Sequence, residues 1–290
     1  MIKLRIGGVP EHFNLPWHLA AQALRFEPLG VDVAWHDYPG GSGAMAKALR
    51  DGELDAALLL TEGAVAAVAD GVPLAIVSLY TDSPLLWGIH VPAASALRAV
   101  TELEGARYAI SRIGSGSHLM AFVHARAQGW NVERLRLVAV GNLDGAVEAF
   151  AAHRADVFFW EKFMTKPLVD AGKFRRVGEF AAPWPAFVVC AASSLNAAQR
   201  AALERAVVAA LDEARALQAR PDAAQLIAAR YGLTSADAGA WLKTTRWSAR
   251  VGVAASDLVP TCTAIGALGV LPRVVDAAEC IPRPAPRAEP

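Results

Sequence analysis

Hydrophobic and polar positions divide the chain into short units that change period. An alternating run, "LRIGGV" (Leu4–Val9), is followed by a polar loop and a helix-period segment, "WHLAAQALRF" (Trp17–Phe26). The alternation returns in "VDVAWHDY" (Val31–Tyr38), then come a glycine-rich turn, the amphipathic "AMAKALRD" (Ala44–Asp51) and the apolar "LDAALLL" (Leu54–Leu60). A period near 2 marks strands and one near 3.6 marks helices, so strands here alternate with helices, as in βαβ units. A second series begins at "YAISRI" (Tyr108–Ile113). It continues through "GSGS", the helix pattern "HLMAFVHARAQG" (His118–Gly129), the strand "LRLVAV" (Leu135–Val140), a Gly-Asn turn, "GAVEAFAAH" (Gly145–His153) and "ADVFFW" (Ala155–Trp160).

The two series contain one unit twice. Gly43 to Asp55 and Gly145 to Asp156 each read as a glycine, a short amphipathic helix and an aspartate opening an apolar strand. This repetition predicts an α/β protein of two similar lobes, each an open mixed sheet flanked by helices. The expected division is 1–88 with 189–282 for the first lobe and 89–188 for the second. "PWPAFVVCAASSL" (Pro183–Leu195) reads as a crossing strand, and Asn196 with Gln199 as a capping box opening a helix over Ala197–Ala219. Further helices, "AAQLIAARYG" and "SADAGAWLKTTRWSARVG", are expected to pack back on the first lobe. The proline-rich "RPAPRAEP" (Arg283–Pro290) is expected to be a disordered tail.

Composition narrows the function classes. Lys plus Arg and Asp plus Glu each total 28, so there is no basic surplus to neutralise a phosphate backbone, and nucleic acid is excluded as a partner. The most apolar stretch is broken by Asp55, Glu62 and Asp70, which argues against membrane insertion. The opening "MIKLRIGGVPEHF" has no signal-peptide pattern, so a cytoplasmic protein is expected; the alternative is a periplasmic one whose export signal has been removed. Cys190, Cys262 and Cys280 form no C-x-x-C pair, and the histidines have no metal-ligand spacing, so no cofactor and no metal site are expected.

In open α/β sheets, ligands bind beyond the carboxyl ends of strands. That rule selects His12, Phe13 and Asn14 after the first strand, Gly41 and Ser42 in the "GGSG" turn, and Thr61 with Glu62 after the third strand. In the second series it selects Arg112, Ser115, Gly116, Ser117 and His118 around "GSGSH", then Trp160 and Glu161. "GSGSH" turns a strand into a helix, whose free N–H groups and positive dipole end suit an anion. The plain alternative is a tight turn capped by Ser117. Arg112 has the fork to grip a carboxylate, sulfonate or phosphate, or is an exposed charge. Glu62 and Glu161 can take ligand N–H groups or a cation, or simply sit at helix N-termini. Phe13, Trp160 and Trp184 can stack on a flat ligand, although aromatic residues are more often core. His12 can donate to a ligand or act as a base. No G-x-S-x-G elbow or nucleophile–base set is present, so no catalytic residue is assigned.

The segments "GGVPEHFNLPWHLA", "PGGSGAMAKALRDGELDAALLLTEG", "SRIGSGSHLMA" and "WEKFMTKPLVD" resemble the type II periplasmic-binding-protein fold of the NMT1/THI5-like group, and within it the Ca3427-like branch of ABC-transporter substrate-binding proteins. The resemblance spans about residues 3 to 250. It implies two lobes joined by two hinge strands, a small-molecule ligand in the cleft, and an ABC permease as a partner. Together with the site residues, it suggests a solute-binding protein for uptake or sensing. The expected ligand is anionic or zwitterionic, such as a thiamine-precursor-like heterocycle or a sulfonate. The competing expectation is a cytosolic enzyme of thiamine-precursor or related cofactor metabolism. Fungal enzymes of that kind carry a Cys-rich iron motif, and this chain has none.

Overall fold

The structure, a computed structural model, describes residues 1–282; the expected tail, Arg283–Pro290, lies outside them. The first series folds as β1 (Ile2–Gly8), α1 (Leu15–Gln22), β2 (Val31–Asp37), α2 (Gly41–Arg50), β3 (Ala56–Leu60), α3 (Thr61–Ala69) and β4 (Leu74–Thr81). The second comprises β5 (Leu86–Pro92), β6 (Arg107–Ile110), α4 (Gly116–Ala127), β7 (Arg136–Ala139), α5 (Leu143–Ala151), β8 (Val157–Glu161), α6 (Lys166–Asp170) and β9 (Phe174–Ala181). The chain then forms β10 (Phe187–Ala192) and the helices α7 (Ala197–Ala219), α8 (Ala223–Tyr231), α9 (Ser235–Thr244) and α10 (Ala255–Gly266).

Two five-stranded sheets result, in the orders β2-β1-β3-β10-β4 and β7-β6-β8-β5-β9. In each, three strands of a βαβ series run parallel, and a strand arriving from elsewhere in the chain joins antiparallel beside the third. The chain crosses between sheets at residues 82–85 and 182–186, just ahead of the boundaries drawn from the sequence. β5 belongs wholly to the second sheet because Trp87 and Gly88 already pair with Glu161 and Trp160.

The repeated aspartate has a structural reason. Asp55 receives the backbone N–H of Arg5 at 2.7 Å, and its two oxygens receive Nε and Nη2 of the same arginine at 3.1 and 2.8 Å. In the second lobe, Asp156 receives the N–H of Arg107 at 2.9 Å and its Nε and Nη2 at 2.9 and 2.7 Å. Each clamp ties the entry of a lobe's central strand, β3 or β8, to the neighbouring strand, β1 or β6. The aligned glycines, by contrast, serve different ends. A Cβ at Gly145 would run into the Val140 carbonyl, whereas one at Gly43 would run into the Arg112 guanidinium.

The bond from Arg107 holds the Asp156 carboxyl below its ordinary range. A depressed folded value contributes stability above the unfolded value near 4, and that contribution disappears as pH falls through the folded one. With both groups partly exposed, Asp156→Asn is expected to cost about 1 kcal/mol at neutral pH, and the gap should close in acid, as pH falls through the lowered folded value. Urea denaturation at neutral and acid pH checks this; a cost that persists in acid would place the effect in packing instead.

The helical pattern at 235–252 is interrupted. α9 ends at Thr244, and the next residues add to the first sheet's edge, where Trp247 bridges Thr81, Asp82 N–H donates to the Arg246 carbonyl and Ser248 N–H to that of Tyr80. Edge pairing outcompetes another helical turn because Trp247 also buries its ring and donates Nε1 to the Phe13 carbonyl at 3.0 Å. α7 has the expected capping box, with Gln199 N–H donating to Asn196 Oδ1 at 2.9 Å and Asn196 N–H to Gln199 Oε1 at 3.0 Å. It packs on α1, β1 and β2, while α10 touches both α3 of the first lobe and α4 of the second.

Candidate functional site

Between the carboxyl ends of the two sheets lies a cavity of about 210 Å³, lined from both lobes. Its positive end is built by two helix starts. α2 begins without a side-chain cap, so the N–H groups of its first turn have no side-chain acceptor from the cap, and Gly41 and Ser42 of that turn line the cavity. At α4 the N-cap is Ser115, not Ser117: its Oγ accepts from His118 N–H at 3.3 Å, which leaves the N–H groups of Gly116 and Ser117 without a side-chain partner. Ser117 ties the turn to β6 instead, its Oγ accepting from Ser111 N–H at 2.9 Å. Ser42 closes the other side, its Oγ accepting from Leu60 N–H at 2.9 Å.

Arg112 reaches across from the second lobe. Its Nη1 donates to the Gly40 carbonyl of the first lobe, and its guanidinium lies over Gly43. Burial lowers its pKa, yet an arginine keeps its charge at such a site. No carboxylate among the described residues pairs with it. A half-buried guanidinium beside two positive helix ends is electrostatically incomplete until an anion joins it.

Acids mark another part of the wall. Glu161, only 4% exposed, accepts on Oε2 from the N–H groups of Phe163 (2.8 Å) and Met164 (2.6 Å). Burial above all, and the nearby charge of Glu11, push its pKa up to about 8. Glu11 also lines the cavity, has no bonded partner for its carboxyl, and is pushed by burial up to about 7. Trp87 and Trp160 supply aromatic wall, with Leu60, Leu85, Met164 and Phe187 completing the apolar part.

The cavity thus brings together Gly41, Ser42, Arg112, Ser115, Gly116, Ser117, Trp160 and Glu161 of the residues selected from sequence. The others lie behind its wall. Phe13 packs on Phe187 and Trp241, and its carbonyl receives Tyr80 Oη and Trp247 Nε1. Asn14 donates Nδ2 to the Val9 carbonyl at 2.8 Å and so braces the first loop. His118 accepts from Gly114 N–H on Nδ1 at 3.2 Å and orients the turn rather than facing the cavity. Thr61 Oγ1 donates to the Pro185 carbonyl at 2.6 Å, and Trp184 Nε1 donates to Glu62 Oε2 at 2.8 Å, so these three hold the second crossing against α3. Burial, partly offset by hydrogen bonds, pushes the Glu62 pKa up to about 7. His12 is fully buried, stacked on Trp241 at 4.3 Å, with neither ring nitrogen hydrogen-bonded; burial drives its pKa down to about 3.

Sequence reasoning passed over Glu11, Trp87, Asn142 and Asp144, all of which line the cavity. Asn142 and Asp144 were within reach of the repeat: the start of α5, with Asn142 as its N-cap and Asp144 in its first turn, is the second lobe's counterpart of Gly40–Gly43. Trp87 lies on β5, a strand that alternation alone does not single out.

The lobes are closed on each other here. Arg112 bonds Gly40 across the cleft, Gly116 lies against Leu60, and His12 Nε2 stands 3.7 Å from Glu161 Oε2. Two sheets with this strand order, two crossings and a lined cleft between them define a type II periplasmic-binding-protein fold. Residues 87–180 match the family model described as Ca3427-like PBP. The Candida albicans CA3427 gene product, whose structure is described as having the generic periplasmic binding protein fold, superimposes with a TM-score of 0.88 at 23% identity over 100% of this chain and 99% of that one. The alkanesulfonate-binding protein SsuA of Xanthomonas axonopodis pv. citri, bound to MOPS, gives 0.83 at 20% identity over 98% and 99%. The periplasmic aliphatic sulphonate binding protein SsuA of Escherichia coli gives 0.73 at 19% over 100% and 95%. No curated protein sequence matches the chain significantly. No helix among the described residues is long and apolar enough to cross a membrane.

Proposed function

We propose that this chain is a solute receptor that closes its lobes over a small organic anion and presents it to an ABC-type permease. The observation that carries the reading is Arg112, an unpaired guanidinium that spans the cleft above the open N-termini of α2 and α4. Such a site grips a sulfonate, phosphonate or carboxylate by charge-assisted hydrogen bonds, available together only when the lobes are closed. The sulfonate-binding neighbours support the same class of head group, and the periplasmic setting of the Escherichia coli one supports an extracytoplasmic place for this chain over the cytoplasmic one expected from its opening residues.

A thermal-shift series with propanesulfonate, propylphosphonate and butanoate tests the reading. At about 100 times its dissociation constant, a ligand specific for the folded state adds roughly 2.7 kcal/mol, so the melting temperature should climb with concentration. Equal response to neutral propanol, or no response to any of the three anions, would defeat it. One observation favours a catalytic reading instead: two cavity carboxyls with pKa values near neutrality are what an acid–base pair needs. Recovery of the ligand unchanged after prolonged incubation excludes that alternative.

A further inference from the structure

The acidic side of the cavity is unexplained by an anion alone. Glu161 is nine-tenths buried and lines the cavity; Oε2 is committed to two backbone N–H groups, while Oε1 has no partner. Glu11 reaches the same cavity from the opposite lobe with both oxygens unpartnered. Two carboxyls are therefore held close enough to repel one another, with no hydrogen-bonded cation. The groups around them do not neutralise the pair. Lys162, next in sequence to Glu161, is bonded to Glu179; His12 is buried without a hydrogen bond; Tyr231 flanks Glu11 with an unpartnered hydroxyl; Asp144 adds another acid to the lining, and Arg112 is engaged at Gly40. Burying acids without partners is costly, and such groups stay protonated until a cation replaces the missing charge.

We propose that Glu11 and Glu161 form a second subsite that takes a protonated nitrogen of the solute, so that the cleft selects zwitterions over plain anions. This rests on the anion reading above, which supplies the other end of the ligand. Glu11 comes from the loop after β1 and Glu161 from the end of β8, so the ammonium group bridges the lobes on one side as the anion does on the other. Trp87 and Trp160 enclose the connecting segment. Because burial keeps Glu161 mostly and Glu11 about half protonated at neutral pH, taking up an ammonium group expels protons to solvent. Affinity for a zwitterion therefore rises with pH from about 6 to 8, whereas affinity for the matching plain anion falls as the acids ionise.

Isothermal titration calorimetry on the full chain tests this with matched probes: 3-aminopropanesulfonate against propanesulfonate, and 4-aminobutanoate against butanoate. At pH 8 the amino member of at least one pair should bind about tenfold more tightly or better, corresponding to about 1.4 kcal/mol. Its apparent enthalpy should vary with the ionisation enthalpy of the buffer, reporting proton release. Glu11→Gln and Glu161→Gln should each erase the preference while leaving the plain anion bound as well or better. Their unliganded melting temperatures, expected to be unchanged or raised, separate misfolding from lost recognition. Equal or tighter binding of the plain anions to the wild type, with both pairs still dependent on Arg112, overturns the second subsite and leaves the anion reading standing. Absence of binding by all four probes overturns both.

Discussion

Replacing Arg112 with alanine will weaken binding of any anionic solute by at least about 2 kcal/mol, roughly 30-fold, because truncating one partner of a desolvated, hydrogen-bonded charge pair leaves the other charge unmatched. Arg112 has two jobs in the closed molecule. It supplies charge beside the helix starts, and it ties Gly40 to the second lobe. Arg112→Lys restores the charge but not the planar fork, so it should recover only part of the loss. The unliganded protein should melt near the wild-type temperature, since loss of the bond to Gly40 is offset by removing a partly buried cation that has no carboxylate partner. Calorimetric affinity for propanesulfonate in the three proteins checks this. Wild-type affinity in Arg112→Ala would move the anion away from the α2–α4 end of the cavity.

Gly116→Val should produce the second large effect by a different route. A Cβ at Gly116 would stand 2.6 Å from Leu60 Cδ1 and 3.0 Å from Trp87 Cη2. Leu60 belongs to the other lobe, so its clash, the tighter one, is relieved by opening the cleft, while the contact with Trp87 of the same lobe is taken up locally. Overpacking of this kind costs about 1–3 kcal/mol, and here the closed state bears it, giving roughly 5- to 150-fold weaker binding. Solution X-ray scattering with saturating ligand should give a larger radius of gyration than for the wild type, while the unliganded melting temperature hardly changes. A variant that closes and binds normally would mean that Leu60 gives way locally and that the contact does not limit closure.

These two residues show what is readable locally. Gly116 and Arg112 stand beside a strand-to-helix turn that period changes and glycines announce in one dimension, and the rule that ligands lie beyond strand ends selects them without coordinates. The repeated glycine–helix–aspartate unit is equally legible, because each copy is a contiguous segment with its own period. His12, Glu62 and Trp184 satisfy the same positional rule, yet they lie behind the cavity wall rather than in its lining. His12 stacks on Trp241 from α9, and Glu62 accepts from Trp184 across 122 residues of chain.

The sequence by itself therefore determined the α/β class, the duplicated unit, the α7 capping box and the turns at which helices open toward a ligand. All of these depend on residues within one or two turns of each other, where backbone propensity and amphipathic period act directly. Only the tertiary structure decided which polar residues face the cleft, that Glu11 joins Glu161, that Arg112 spans to Gly40, and that the segment after α9 pairs with β4. Those facts depend on how the crossings at 82–85 and 182–186 bring the lobes together, and on long-range burial that competes with local preference. A buried carboxyl and an exposed one look the same in one dimension; desolvation distinguishes them only when both lobes are in place.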